Sequence, residues 1–280
     1  MKPEHELTTI NISKKAEIFR PPIKKLISSF MPSEIEGKEN LEHTKKLIKD
    51  GYGVVIFFDH FSLRDPIQPV LDIITANPSM KNLRILAPIA EHHYRYSKFV
   101  LGPLGYLTEI KTVPTITPNT LERAVNNPNI ESGLKIKQRK FTDNYKRKML
   151  EYLSTGGIVL FAPQIKREEK LVVPKEEESK RPITHLIANL KRNKIEKVAF
   201  LIVGIGIKNA IDYSKNKVGK YNLKKIYTVN IGSTLTLNEI LDRTQGDLRT
   251  KIRASDRIIL EELGKVVPPA YNKLNKNSDK

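Results

Sequence analysis

Cysteine and tryptophan are both absent from the 280 residues. Without cysteine there is no disulfide framework, no thiolate metal site and no cysteine nucleophile. The same absence fits a reducing compartment. No run of about 18 apolar residues occurs, so no transmembrane helix is expected. The first apolar stretch is broken by charges, so no signal peptide is expected. There is no Gly-x-Ser-x-Gly elbow of the kind that hydrolases use. Zinc-ligand spacings and aromatic-basic RNA signatures are also missing, so nucleic acid is not an expected partner. Acidic residues are scarce relative to basic ones: 31 Asp+Glu against 49 Lys+Arg, a net charge of +18. A balance this basic points to an anionic partner such as an anionic membrane or phosphorylated small molecules.

With 39% hydrophobic and 29% charged residues, the chain reads as an ordinary globular protein with enough length to bury a core. Residues 12–31 give two short helical candidates split by Pro21-Pro22. In the second, Ile23, Leu26, Ile27, Phe30 and Met31 form one apolar stripe flanked by Lys24 and Lys25. Such a stripe packs on the protein's own body or lies in a membrane interface. From residue 35 onward strands alternate with helices. Strands are expected at 54–58, 83–89, 110–116, 158–161, 198–207 and 226–231, with helices near 40–50, from Asp65-Pro66 through 74, and at 144–153, 183–193 and 237–263. Residues 117–148 read as a long loop, as do 164–182. The expected fold is α/β, one domain with a mostly parallel or mixed sheet covered by helices. The organisation is then an amphipathic helical segment at 1–34, a single domain at 35–271 and a disordered tail at 272–280.

The segment Phe57-Phe58-Asp59-His60-Phe61-Ser62-Leu63-Arg64-Asp65-Pro66 carries the chemistry. It sets His60 at the carboxyl end of a buried strand, where ligands of open α/β sheets bind. Asp65 follows five positions later, at the start of a helix. A turn of that length lets the carboxylate hold one imidazole nitrogen and leaves the other free to take a proton from a hydroxyl. Two neighbouring features read as structural. His92-His93 are adjacent, hence on opposite faces of a strand, and have no acidic cluster, so no metal is expected. Gly204-Ile205-Gly206 lacks the third glycine of a dinucleotide fingerprint.

The segment resembles the first motif of the glycerolipid acyltransferase family, the glycerol-3-phosphate and 1-acylglycerol-3-phosphate acyltransferases. Other stretches fall in the family's order. Ile35-Glu36-Gly37-Lys38-Glu39-Asn40-Leu41 resembles the lead-in to the first strand. Gly105-Tyr106-Leu107-Thr108-Glu109-Ile110-Lys111 is similar to the second motif, with Lys111 at its basic position. Gly157-Ile158-Val159-Leu160-Phe161-Ala162-Pro163-Gln164-Ile165-Lys166-Arg167 resembles the third. Gln164 and Ile165 stand where that motif has Glu and Gly, and Gly204 stands where the fourth has proline, so the resemblance is to a divergent member. It implies an acyltransferase of phospholipid synthesis. His60 would be the general base and Asp65 would orient it, while Lys111, Lys166 and Arg167 would hold the acceptor's phosphate. The donor would be acyl-CoA or acyl-carrier protein, and the acceptor a phosphorylated glycerol or a lysophospholipid. No covalent intermediate, metal or cofactor is implied. The setting implied is the cytoplasmic side of an anionic membrane, held peripherally. Two alternatives stay open: an acyltransferase with another acceptor, and a non-catalytic basic protein that binds lipid or nucleic acid.

Overall fold

The computed structural model describes residues 13–30, 32–59, 72–73, 80, 83–90, 106, 108–115, 128–162, 182–208 and 226–269. Their strands are β1 (Ser33–Glu36), β2 (Gly53–Phe58), β3 (Ile85–Ala90), β4 (Ile110–Thr115), β5 (Ile158–Phe161), β6 (Val198–Ile207) and β7 (Tyr227–Thr236). Their helices are α1 (Lys14–Phe30), α2 (Leu41–Lys49), α3 (Pro128–Ser154), α4 (Pro182–Arg192), α5 (Leu237–Asp242) and α6 (Leu248–Val266). The strands form one seven-stranded sheet in the order β1-β7-β6-β2-β5-β3-β4. Every pairing is parallel except β6 with β7. The α/β expectation therefore holds, with a mixed sheet.

Continuous apolar sequence explains the centre of the sheet. All six residues of β2 and all ten of β6 are buried, as strands covered on both faces require. Phe57 packs against Phe200 and Phe161 of the neighbouring strands, with ring centroids 5.6 and 5.2 Å away.

Side-chain direction sorts the helices onto two faces. Adjacent residues of a strand point to opposite sides. In β7, Ser233 donates to Glu262 of α6 at 3.1 Å, whereas the Thr234 and Thr44 hydroxyls share a hydrogen bond of 2.6 Å on α2. So α6 and α2 cover opposite faces. A Cβ built on Gly53 of β2 would meet Leu153 of α3, and one on Gly204 of β6 would meet Val266 of α6. Gly53 pairs with Val198, which shares its face with Gly204, so α3 lies on the α6 side. α4 joins them there: Asp256 of α6 accepts from the amides of Ile183 and Thr184 at 3.2 and 2.9 Å. That carboxylate caps a helix whose first residue is proline.

α1 belongs to the other face. Ser33 of β1 pairs with Tyr227 and Tyr227 with Ile207, three residues after Gly204 and hence on the α2 side, and the Ser33 hydroxyl donates to Asp72 at 2.5 Å. Lys24 and Ser28 of α1 line the cleft beside these two groups. In its first half α1 is held by Arg20, which is buried and donates to the carbonyls of Thr108 at 2.7 Å and Leu83 at 2.9 Å. Burial pulls the guanidinium down to about 10, with Glu109 opposing.

Four expectations change. α1 is one helix running through Pro21 and Pro22 instead of two short ones. Buried Ala16 and Arg20 tie it to the body on the N-terminal side of the prolines, and this tertiary hold offsets the two lost amide donors. Its outward apolar side is Ile18, Phe19 and Leu26, and Ile23 is half-buried. Ile27 and Phe30, whose side chains fall outside the described set, and Met31 complete the expected stripe. Most of the expected loop at 117–148 is helix: α3 starts at Pro128. β1 begins at Ser33, so the expected boundary after residue 34 falls inside a strand of the sheet. β7 runs on to Thr236 past an irregularity in its pairing with β6. The expected helix after Asp65, the loop at 164–181 and the tail from 272 lie outside the described residues, apart from helical 72–73.

Two glycines of the α3–α6 side give a paired expectation. A methyl on Gly204 would sit 2.2 Å from the Val266 carbonyl oxygen, whereas one on Gly133, inside α3, would meet open space. Gly204→Ala should destabilise the fold by about 1–3 kcal/mol through overpacking. Gly133→Ala should stabilise it by about 0.5–1 kcal/mol through helix propensity. Urea midpoints measured on both variants check the opposite signs.

Candidate active site

The five strands β2, β3, β4, β5 and β6 run in one direction, so their carboxyl ends share one edge of the sheet. After β2 the chain proceeds to β3, on one side of it; after β5 it crosses to β6, on the other. Connections that diverge in this way open the crevice in which α/β sheets bind ligands. The divergence falls at β2 and β5, the strands that end in Phe58-Asp59 and Phe161-Ala162.

Asp59 fixes this end of β2. It is 2% exposed, and its Oδ1 accepts from the Ile205 amide of β6 at 2.6 Å. A carboxylate bonded to a backbone N–H is a strong, charge-assisted contact. It extends the β2–β6 ladder by one link beyond the strand and sets the path on which the chain continues to His60. The sequence shows an acid ending an apolar run; its partner across the sheet was not legible.

The strands next to β2 contribute a second feature. β3 pairs with β5 through Ile85↔Ile158 and Leu86↔Val159, and with β4 along its whole length. Pro88, which has no amide to donate, follows in β3. Where β5 continues towards the carboxyl edge, the Leu160 carbonyl accepts from the Tyr145 hydroxyl of α3 at 2.9 Å. Burial pushes that phenol well above its ordinary range, so it stays a donor.

Of the candidate residues, His60, Asp65, Lys166 and Arg167 lie outside the described set, as do His92 and His93. Their chain positions still bear on the site. His60 comes directly after Asp59, and Lys166 is the fourth residue after Ala162. Lys111 is placed. It is exposed on β4 and in register with Leu86, Val159 and, in β2, Val55. It therefore stands three strands across from β2 and four residues short of Asp59, about 20 Å away at ~4.8 Å per strand and ~3.3 Å per residue. Lys111 shares the face of α3. Burial, with Lys111 and Arg147 alongside, pulls the Lys148 ammonium below its ordinary value. Lys111 thus groups with the cations of α3, while the other four candidates follow the ends of β2 and β5.

α3 itself reaches the edge. Leu153 lies against Gly53 at the start of β2, and Tyr145 reaches Leu160, which pairs with Ile56 near its end. The helix therefore runs antiparallel to the strands. From Tyr145 back to Pro128 it rises about 25 Å, whereas about 10 Å of strand separates Ile56 from Asp59. The first turns of α3 accordingly project beyond the carboxyl edge. Among the described residues no group of three or more His, Asp or Glu is placed to hold a metal ion.

Compared with known proteins, the chain matches no family model and no curated protein.

The role of Asp59 is open to measurement. Asp59→Ala leaves the buried Ile205 amide without its acceptor and should cost about 1–3 kcal/mol of stability. Asp59→Asn keeps an acceptor oxygen and should cost less. Chemical denaturation of the two variants distinguishes them; equal losses would mean that the carboxylate's charge, rather than the bond to Ile205, holds the strand end.

Proposed function

We propose that the protein is an acyltransferase that moves a fatty acyl group from a thioester donor to a hydroxyl of a phosphorylated glycerol or lysophospholipid. The observation that carries the reading is the position of His60: next in the chain after Asp59, which is pinned to Ile205 at the carboxyl end of the central strand, where the connections diverge. The spacing to Asp65 and the motif order of the sequence support it. His60 takes the proton from the acceptor hydroxyl while the oxygen attacks the thioester carbonyl. The C–S bond breaks, and the proton passes from the imidazolium to the departing thiolate. Products are an ester and a free thiol. Asp65 holds the imidazole in the required tautomer and favours its charged form. Lys166 and Arg167, following β5 in the chain, supply cations for the acceptor's phosphate. No metal or cofactor takes part in this scheme.

Thiol release is the direct test. His60→Ala should lower the rate by about 10²–10⁴-fold with the fold intact, and Asp65→Asn by less. Turnover near the parent rate in folded His60→Ala would remove His60 from the mechanism. No thiol release from any donor would favour a non-catalytic basic binder.

The same reading sets the protein on the cytoplasmic surface of an anionic membrane. Among the described residues no helix is long and apolar enough to cross one. α1 instead presents Ile18, Phe19 and Leu26 to solvent, with Ile18 67% and Leu26 59% exposed, beside exposed Lys14 and Lys25. Apolar burial with basic residues is the pairing that holds interfacial helices on anionic lipid. Replacing Ile18, Phe19 and Leu26 together by Ser should reduce co-sedimentation with phosphatidylglycerol vesicles at least tenfold. Arg20 and Ala16 still hold α1 in that variant, so circular dichroism should be unchanged. Undiminished sedimentation would place the anchor elsewhere.

A further inference from the structure

The solvent face of α3 carries charge that the chemistry above does not use. Lys135, Arg139 and Lys146 are exposed; at 100° and 1.5 Å per residue they fall within about 40° of one another around the helix and span about 17 Å along it. Lys140 and Arg147, about 100° further round the helix on one side of this line, are exposed as well. Ile136, 58% exposed, adds an apolar contact among them. Asp143 is an acid on the same face.

The shape of this surface selects the kind of partner. It is the convex side of a helix, whereas small molecules bind in concave sites. A lipid surface is excluded on geometric grounds if α1 rests on it, because α1 and α3 cover opposite faces of the sheet. An acidic protein that lays a helix of carboxylates along the ridge matches both its length and its sign, and such complementarity steers association. Position gives the partner a purpose. The first turns of α3 project beyond the carboxyl edge, so a protein on the ridge stands beside the point at which the chain leaves β2 for His60.

We propose that the exposed ridge of α3 docks the acidic carrier protein that delivers the acyl thioester. The proposal rests on the acyltransferase reading and specifies its donor as carrier-bound in preference to coenzyme A.

The test uses the full chain and a triple variant, Lys135→Glu, Arg139→Glu and Lys146→Glu, with a Gln triple as a milder companion. Calorimetric titration with purified acyl carrier protein lacking an acyl chain reads docking without catalysis. Thiol release from the same acyl group on carrier protein and on coenzyme A reads use. The Glu triple should weaken carrier binding at least tenfold and the Gln triple by less, and salt should weaken the parent. With the carrier-bound donor kcat/KM should fall in proportion, while turnover of acyl-coenzyme A stays unchanged and shows that the variant is folded. Carrier binding by the Glu triple as tight as the parent's overturns the proposal. So does a loss confined to phosphatidylglycerol vesicles, which would make the ridge a membrane contact. Charge-dependent carrier binding without thiol release from any donor would support the surface and sink the acyltransferase reading.

Discussion

The parallel pairing of β2 with β6 and β5 is the constraint on which the rest depends. It is enforced by burial: sixteen consecutive-in-strand residues of β2 and β6 are shielded on both faces. Reversing either strand would break the register in which Phe57 stacks on Phe200 and meets Phe161 edge-on. Once these strands point one way, their carboxyl ends must share an edge. The chain therefore leaves each of them at that edge. The Asp59 carboxylate finishes the arrangement by bonding β6 at the level where β2 stops.

Much of this was legible in the sequence because the central strands are apolar without interruption. The run at 198–207 gives β6 its observed bounds, and Gly51 and Gly156-Gly157 mark the turns into β2 and β5. What escaped was held by polar atoms. The protected side of α3 comprises Leu134, Lys137, Gln138, Phe141, Asn144, Tyr145, Lys148, Met149 and Tyr152. That is a helical stripe in which four members carry charged or amide groups, so hydrophobic periodicity does not reveal it. Lys137 lies over the Phe141 ring at 5.5 Å, and Lys stems can cover apolar surface while their ends stay polar. β1 alternates half-buried and exposed residues over Ser33-Glu34-Ile35-Glu36, too short and too polar to read as a strand. Pro21-Pro22 reads as a break, and the helix survives it because a buried guanidinium bonded to two carbonyls fixes its first half. In the candidate site, the sequence names His60, Asp65 and three cations but not what fixes the strand end before them. The partner that positions the preceding acid comes from 146 residues away, a distance that no local pattern encodes.

The two long helices are attached by different physics, and the difference bears on what each can present. α3 is locked by backbone contact, with Leu153 against Gly53, and by the buried Tyr145 hydroxyl. These contacts lie in its second half, and the first turns of the helix continue past the sheet. α1 is held in its first half by Arg20 and Ala16, with the Ser13 amide donating to Glu109 at 3.2 Å at its start. Its apolar side is therefore turned outward by the same contacts that dock its opposite side. An apolar stripe facing water costs solubility unless something covers it.

Placing the two surfaces on opposite faces has a consequence for the proposed reaction. An acceptor that is a lipid arrives from the bilayer, and a donor that is a protein arrives from solution. If both approached one face, each would obstruct the other, since a docked carrier excludes the membrane over its whole footprint. With α1 on one face and α3 on the other, the sheet separates the approaches. They converge only at the carboxyl edge, which both faces border and where the chain passes from Asp59 to His60. Under these proposals the net charge of +18 serves both encounters, because each proposed partner is anionic. Charge alone cannot then tell the partners apart. The discrimination falls to what accompanies the charge: an apolar side beside the lysines of α1, which suits a bilayer, and a convex line of cations on α3, which suits an acidic helix.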